Sequence, residues 1–516
     1  MSKYHPIKIK RPNRQRGRKP ATLVQRFACL MLVLSASACM KMGPDYTSAD
    51  LDFTMPAAFE QESGGLDALK PENPWWKEFN DPELDRVVAE VMANNPDIRA
   101  AAFRVTEVAA VLRQIGADQY PTVNLSAQAL RQRQATLNPI TGNAVSVTGS
   151  SYSLSLPASF ELDLWGRLAR ATEAAEADLL ASAENRRAVV HSLTAETVSL
   201  YLQIAALKRQ IRVNRDMVDA YQQGLALTES RYRRGLTSIL DVRQARRALA
   251  GAEAQLPDLT AALGAGRQML SVLQGRYPAA ETDDFKAPGA FAPPRPIPAG
   301  LPSQLLERRP DIQSAEAALQ AASARIGVAK AARFPGITLT GSFGYASGDI
   351  GDLFRPENEL WRLAAGGLQP VFNAGKLSAA QAAAEARYQQ AKMAYAKTVL
   401  NAFAEVEGAL LNQKELETRR LRMRVFLEEA VAVQEVAVDR YRRGLVDYLA
   451  VLDAQSARFA AEIRMVEAEY AVLSNRVRLY RVLGGGWDVA FVEQPSPKSG
   501  DDIAAETSGR KQDIQK

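Results

Sequence analysis

Histidine and cysteine are almost missing from this sequence. Two of each occur in 516 residues, and beyond residue 38 only Cys39 and His191 remain. A nucleophile–base pair or a His/Cys/Asp metal cluster cannot be assembled from that inventory, so no catalytic residue, metal ligand or cofactor is expected. A disulfide is excluded once Cys29 is removed with the N-terminal segment argued below. Acidic residues are missing from the first 26 positions, which carry nine Lys/Arg. The apolar run that follows, Phe27 to Leu34, is far too short for a membrane-spanning helix, which needs about 20 residues. Proline is missing from two long intervals, Arg167 to Arg234 and Lys376 to Arg443, whose internal glycines are only Gly224 and Gly408.

The basic arm, the short apolar run and Ser35-Ala36-Ser37-Ala38 together read as a secretory signal peptide over residues 1–38. A cysteine directly after small residues resembles a bacterial lipobox. Cys39 is then the acylated mature N-terminus, although Ala36 stands where leucine is commoner; the alternative is an ordinary Ala-x-Ala cleavage site. Removing residues 1–38 takes away nine positive charges and no negative one. The remaining 55 basic and 58 acidic residues give a net charge of −3, which withdraws the main support for a nucleic-acid partner.

What the chain has is a duplication. Arg231-Tyr232-Arg233-Arg234-Gly235-Leu236 recurs letter for letter as Arg440-Tyr441-Arg442-Arg443-Gly444-Leu445, 209 residues later. Asn95-Pro96-Asp97-Ile98 matches Arg309-Pro310-Asp311-Ile312 at an offset of 214, and Gly166-Arg167 matches Gly375-Lys376 at 209. One supersecondary unit is therefore used twice. The five-residue change of offset is confined to one segment, where a surface loop is expected.

Each half reads as a helix, a strand pair, a very long helix, a tip and a returning helix. The first repeat spans 96–277, with a β-hairpin at about 120–165 and long helices at about 167–275. The second spans 303–490, with a hairpin at about 334–374 and long helices at about 376–483. Residues 39–95 form an N-terminal segment, 278–302 a proline-rich crossing, and 491–516 a polar tail expected to be disordered.

Thr122 to Ala129, Ser151 to Leu156 and Ile337 to Tyr345 alternate polar and apolar, as half-buried strands do. A fourth strand lies near Leu360 to Phe372, with poor alternation around Leu363 to Gly367. Two arrangements fit. A soluble sheet buries its apolar side against protein, whereas a transmembrane barrel turns that side to lipid and its Ser/Thr/Asn/Gln side to a wet lumen. Tyr120, Phe160, Trp165, Phe334, Trp361 and Phe372 fall near strand ends, where interfacial aromatics belong. Four strands cannot close a barrel, so the second arrangement needs several copies; three would supply twelve strands.

Some 66 residues of uninterrupted helix reach about 100 Å at ~1.5 Å per residue. In the first long helix Val190, Leu193, Leu200, Ile204, Leu207, Ile211, Val218, Tyr221 and Leu225 follow coiled-coil spacing, with Thr197 and Asn214 in the gaps. The second is alanine-rich from Ala379 to Ala396, which permits close backbone approach. His191, beside the first seam, is expected to be a packing or surface residue.

Gly43-Pro44-Asp45-Tyr46, Trp75-Trp76, Phe79-Asn80-Asp81-Pro82-Glu83-Leu84 and Asn94-Asn95-Pro96-Asp97, read with the lipobox and the paired Tyr-Arg-Arg-Gly-Leu tips, resemble the outer membrane factor family. The lipoprotein branch of NodT/OprM-like efflux channels, relatives of TolC, is nearest, and the resemblance runs from Cys39 to about Trp487. It implies a mainly α fold with a transmembrane β-barrel: a homotrimer sharing a 12-stranded barrel in the outer membrane and a 12-helix α-barrel in the periplasm. It implies a lipid-anchored exit duct for an inner-membrane RND-type pump, reached through a periplasmic adaptor. Met40, in place of aspartate, fits sorting to the outer membrane. Gly235, Leu236, Gly444 and Leu445 match the tips that meet the adaptor. Asp241 and Asp453 match carboxylates facing the closed periplasmic aperture, and Tyr441 the tyrosine whose hydrogen bond helps keep it shut. Ala450 departs from relatives carrying a second aspartate one turn before Asp453, so either the charge constriction is weaker here or Asp447 shares that role.

Asn373 to Ser378 superficially resembles a phosphate loop, but Pro370 replaces its first glycine and Leu377 its Ser/Thr. The competing reading of the whole chain is a periplasmic coiled-coil lipoprotein that is not a channel.

Overall fold

The computed structural model describes residues 41–47, 53, 56, 58–60, 74–137, 140, 142–278 and 302–485. The signal peptide, Cys39 and Met40, most of the proline-rich crossing, Trp487 and the tail lie outside the described residues. The chain packs as two compact units.

The first unit contains residues 41–44, Gly116–Ala171 and Arg325–Ala382, and is built on one antiparallel sheet. Its strands are β1 (Thr122–Val123), β2 (Ser126–Leu137), β3 (Ala144–Leu162), β4 (Gly336–Ser347) and β5 (Glu359–Leu368). Both β1 and β2 pair with β3, β3 with β4, and β4 with β5. The expected first strand is thus split in two, because Asn124 lies opposite Pro157. The Asn124 N–H donates to the Pro157 carbonyl at 2.9 Å, but proline returns no N–H to the ladder. β3 starts at Ala144, well before the alternation at Ser151, and β5 ends at Leu368 rather than near Phe372.

Register assigns the two faces. Val123, Leu154, Leu156, Phe160, Leu339, Phe343, Tyr345, Trp361 and Leu363 share one side; Ser126, Ser153, Ser155, Ser159, Thr338, Thr340 and Arg362 share the other. Large side chains of the apolar side stand uncovered among the described residues, with Trp361 75% and Leu363 79% exposed. The β1/β2 edge and the β5 edge carry no further strand among the described residues. Below the sheet, Trp165 stacks on Phe334 at 4.9 Å and donates its indole N–H to the Pro335 carbonyl at 2.9 Å. Beside them the Met42 N–H donates to the Trp165 carbonyl at 3.0 Å, and the Arg170 Nε to the Met42 carbonyl at 3.1 Å.

The second unit, Asp45–Ile115, Thr172–Ala324 and Ala383–Lys516, is helical. In chain order the helices are α1 (Pro82–Asn94), α2 (Pro96–Ala117), α3 (Arg167–Arg233), α4 (Ile239–Leu273), α5 (Pro302–Arg308), α6 (Pro310–Ala331), α7 (Lys376–Arg442) and α8 (Tyr448–Val482). The duplication is metrical: α2 and α6 have 22 residues each, α3 and α7 have 67, and α4 and α8 have 35. At the start of α2, Asn95 caps the Asp97 and Ile98 N–H groups and donates Nδ2 to the Leu273 carbonyl at 2.9 Å. At the matching place Arg309 donates Nη1 to the Val482 carbonyl at 3.2 Å. Two unlike residues do one job, tying the start of each repeat to the end of its returning helix.

The seam of α3 buries Val190, Leu193, Ile204, Ile211 and Tyr221. The polar gap residues are buried: Thr197 donates to the Leu193 carbonyl at 2.6 Å, and Asn214 donates Nδ2 to the Ala252 carbonyl at 3.2 Å while its Oδ1 has no partner among the described residues. In the second repeat Asn475 reaches the Ala409 carbonyl at 3.0 Å. Residues Trp75–Phe79, a 3-10 turn, wedge into helices of both repeats. Trp75 stacks on Tyr480 at 5.1 Å, and Glu78 pairs with Arg476 at 2.5 Å. His191 is buried, so of the two expected positions it takes packing.

Candidate functional site

The two tips form from the same letters by the same hydrogen bonds. In the first, the Gly235 N–H donates to the Tyr232 carbonyl at 2.9 Å and the Leu236 N–H to the Arg231 carbonyl at 3.0 Å. In the second, Gly444 donates to Tyr441 at 3.0 Å and Leu445 to Arg440 at 2.9 Å. This is the Schellman closure, which requires a left-handed residue after the helix. Gly235 takes φ 69° and Gly444 φ 76°, and a Cβ on either would meet nothing within 4 Å, so conformation alone demands glycine here. The following leucines project, Leu236 61% and Leu445 68% exposed. The returning helices are then capped: Ser238 accepts from the Leu240 N–H at 3.2 Å, and Asp447 from the Ala450 N–H at 3.1 Å. Asp447 is thereby engaged as a helix cap.

Identical letters nonetheless reach different surroundings. Tyr232 is 44% exposed, whereas Tyr441 is 5% exposed inside a cluster with Tyr221, Ala245, Tyr448, Leu452 and Phe459. The residue equivalent to Tyr448 at the 209 offset is Ile239, which is exposed, so the first tip lacks the aromatic shelf that covers Tyr441. Tyr441 lies 5.5 Å from Tyr448, centroid to centroid, and the Arg231 guanidinium sits over its ring. The Tyr441 hydroxyl is buried with no hydrogen-bond partner among the described residues. Burial pushes the Tyr448 hydroxyl pKa up, so that phenol stays neutral at physiological pH.

The acids are not duplicated. Asp241 corresponds to Ala450, and Asp453 to Gln244. Asp241 is half-buried and accepts from the Thr237 hydroxyl, while Asp453 is exposed on α8. Around them Arg246 pairs with Glu229 at 2.7 Å and Arg443 with Asp439 at 2.9 Å, so Arg443 is satisfied locally. Among the described residues no group of three or more His, Cys, Asp or Glu side chains could hold a metal ion. Sequence reasoning missed Arg231 and Tyr448; nothing in the letters distinguishes the packed copy of the motif from the open one.

Residues 87–276 and 301–485 match the family model described as "Outer membrane efflux protein". The chain belongs to that family. It is similar to the pyoverdine export outer membrane protein OpmQ of Pseudomonas putida, 34% identical over 472 residues, covering 90% of this chain and 98% of the relative. It is also similar to the cation efflux system protein CusC of Escherichia coli K12, 32% identical over 464 residues, with 89% and 98% covered. Among solved structures, the outer-membrane channel OprN superimposes with a TM-score of 0.81 at 30% identity, covering 87% of this chain and 99% of that one. This family member is an outer-membrane efflux channel, a passive exit for solutes and not an enzyme; the reading as a non-channel lipoprotein is set aside.

Proposed function

We propose that three copies of this chain close around one axis as the exit duct of a tripartite efflux system. Their sheets complete a 12-stranded barrel through the outer membrane, and their long helices form a 12-helix tube in the periplasm. The observation that carries this reading is the sheet itself, which among the described residues has an uncovered apolar side, a polar opposite side and two unpaired edges. Lipid forbids an unpaired strand edge, so the edges must meet those of other copies. The partners are a periplasmic adaptor and an RND-type inner-membrane pump. Gly235, Leu236, Gly444 and Leu445 form the adaptor contact.

Asp241, Tyr441 and Asp453 form the periplasmic gate. Three copies of an exposed Asp453 around a narrow axis favour cations and oppose anions. The Tyr441 hydroxyl, for which the described residues supply no acceptor, makes the hydrogen bond that helps hold the aperture shut. Acylation of Cys39 adds an anchor. Three residues from Cys39 to Met42 span at most about 10 Å, which keeps the acyl chains close to the Trp165–Phe334 aromatic pair that marks the inner rim of the sheet.

Single-channel conductance of the purified protein in planar bilayers tests the gate. Asp453→Ala raises conductance or relaxes cation preference. Unchanged behaviour removes Asp453 from the aperture.

A further inference from the structure

The β2–β3 hairpin carries charge of one sign only. From Gln119 to Phe160 there is no Asp or Glu, and the only charged side chains are Arg131 and Arg133. The other hairpin region is mixed, with Asp349, Asp352, Arg355, Glu357, Glu359 and Arg362. Register settles which way the two arginines face. Arg131 lies opposite Ser150 and Arg133 opposite Thr148, in the same alternate set as Ala129↔Tyr152 and Ala127↔Leu154. They therefore project from the apolar side of the sheet, not from the polar side that lines the lumen.

Their height matters as much as their side. Tyr152 is the last aromatic of β3 on that face, at the level where an interfacial belt ends. Arg131 stands two residues beyond it and Arg133 four, about 7 and 13 Å along the strand. Both are exposed, and neither has an ion-pair or hydrogen-bond partner among the described residues. The acids of the second hairpin offer none among the described residues: Asp352 is paired with Arg355 at 2.9 Å, Asp349 caps Gly351 at 2.8 Å, Glu359 sits on β5, three strand spacings away, and Glu357 lies in the turn before it. Ser150 and Thr148, one on each opposing position, add hydroxyls beside the guanidinium groups.

An outward pair of arginines just past an aromatic belt, backed by hydroxyls, fits phosphate and sugar at the surface of the outer leaflet. Guanidinium groups bind phosphate in a bidentate fork and bury their stems along neighbouring apolar surface. We propose that Arg131 and Arg133, with Ser150 and Thr148, form a binding site for the headgroup of a phosphorylated glycolipid of the outer leaflet, one site per copy. The proposal rests on the membrane duct described above.

The test compares wild type with the Arg131→Gln/Arg133→Gln double variant, each purified as the intact channel. Glycolipid retained through purification is quantified by mass spectrometry. Melting is then followed after adding bisphosphorylated lipid A, its dephosphorylated form, phosphatidylglycerol vesicles or inorganic phosphate. Wild type retains at least fivefold more glycolipid, and only bisphosphorylated lipid A raises its melting temperature. The double variant loses both effects. Equal retention overturns the proposal, as does a response matched by phosphatidylglycerol or inorganic phosphate. So does a double variant that falls apart in lipid-free detergent while wild type ignores the glycolipid, since that assigns the arginines to an ion pair between copies. Conductance of the same samples is read in parallel. A variant that conducts normally leaves the duct intact whatever the lipid result, whereas a wild type that neither assembles nor conducts defeats the duct itself.

Discussion

The guanidinium carbon of Arg231, in the first tip, lies 4.7 Å from the ring centroid of Tyr441, in the second. One copy of the repeated motif thus packs on the other, and a cation–π contact of about 1 kcal/mol adds to the burial of the ring. Arg231→Ala should loosen this lock, and Tyr441→Phe should remove only the hydroxyl. Both are expected to raise single-channel conductance, with Tyr441→Phe leaving the melting temperature unchanged because its hydroxyl has no partner among the described residues. A Tyr441→Phe channel indistinguishable from wild type places the lock elsewhere.

Leu236 and Leu445 are exposed, and surface substitutions of that kind change stability by only about 0.5 kcal/mol. Leu236→Glu and Leu445→Glu should assemble and conduct normally yet lose at least tenfold in adaptor capture on a sensor surface. Undiminished capture would show that the tips are turns and nothing more.

Gly344 sits on β4 directly against Leu154 and Ser155 of β3. A Cβ there would lie 2.2 Å from the Leu154 carbonyl oxygen and 2.6 Å from the Ser155 Cα, both backbone atoms that cannot move aside singly. Gly344→Ala is therefore expected to break the pairing of the two hairpins, read as loss of assembled oligomer on native gels. Gly366→Ala, on a site open to 4 Å, is the control that should assemble.

Burial, reinforced by the charges of Arg309 and Arg481, pushes the His191 imidazole down to about 3. In the unfolded chain it titrates near 6.5, so between those values the unfolded state binds a proton that the folded state refuses. Stability from this group is intact above about pH 6.5 and falls as pH drops towards 3, by about 2 kcal/mol at pH 5. The melting temperature should fall from pH 7 to pH 5, and His191→Gln should lose less over the same interval. Equal losses would mean that the imidazole is solvated in the native protein.

Much of this architecture is written in local pattern. Absent proline set the extent of α3 and α7, the Gly-Leu pairs set their ends to within a residue, and alternation located β4 and the start of β2. Long-range choices were not written there. β3 runs back to Ala144 through Ser, Thr and Gly, residues whose pairing is decided by β2 opposite them and not by their own periodicity. Pro257 sits inside α4 without ending it, because packing along 35 residues outweighs one lost hydrogen bond. The sharpest limit is the tip tyrosine: Tyr232 and Tyr441 share five neighbours in sequence and differ in burial because Ile239 and Tyr448, seven residues on, are different shelves. The alignment of Asn95 with Arg309 was legible from the Pro-Asp-Ile that follows each, but their shared role was not, since one binds through an amide and the other through a guanidinium.

The β3–β4 seam joins the last strand of the first repeat to the first strand of the second, antiparallel over eleven paired positions. A half-length ancestor holding a single hairpin could form that same seam only with another molecule, six of them to a ring. In the proposed trimer, doubling of such a unit would tether every second joint covalently and leave the two halves free to diverge. A symmetric sixfold pore cannot give one tyrosine a buried role and its twin an exposed one; a threefold pore of doubled chains can.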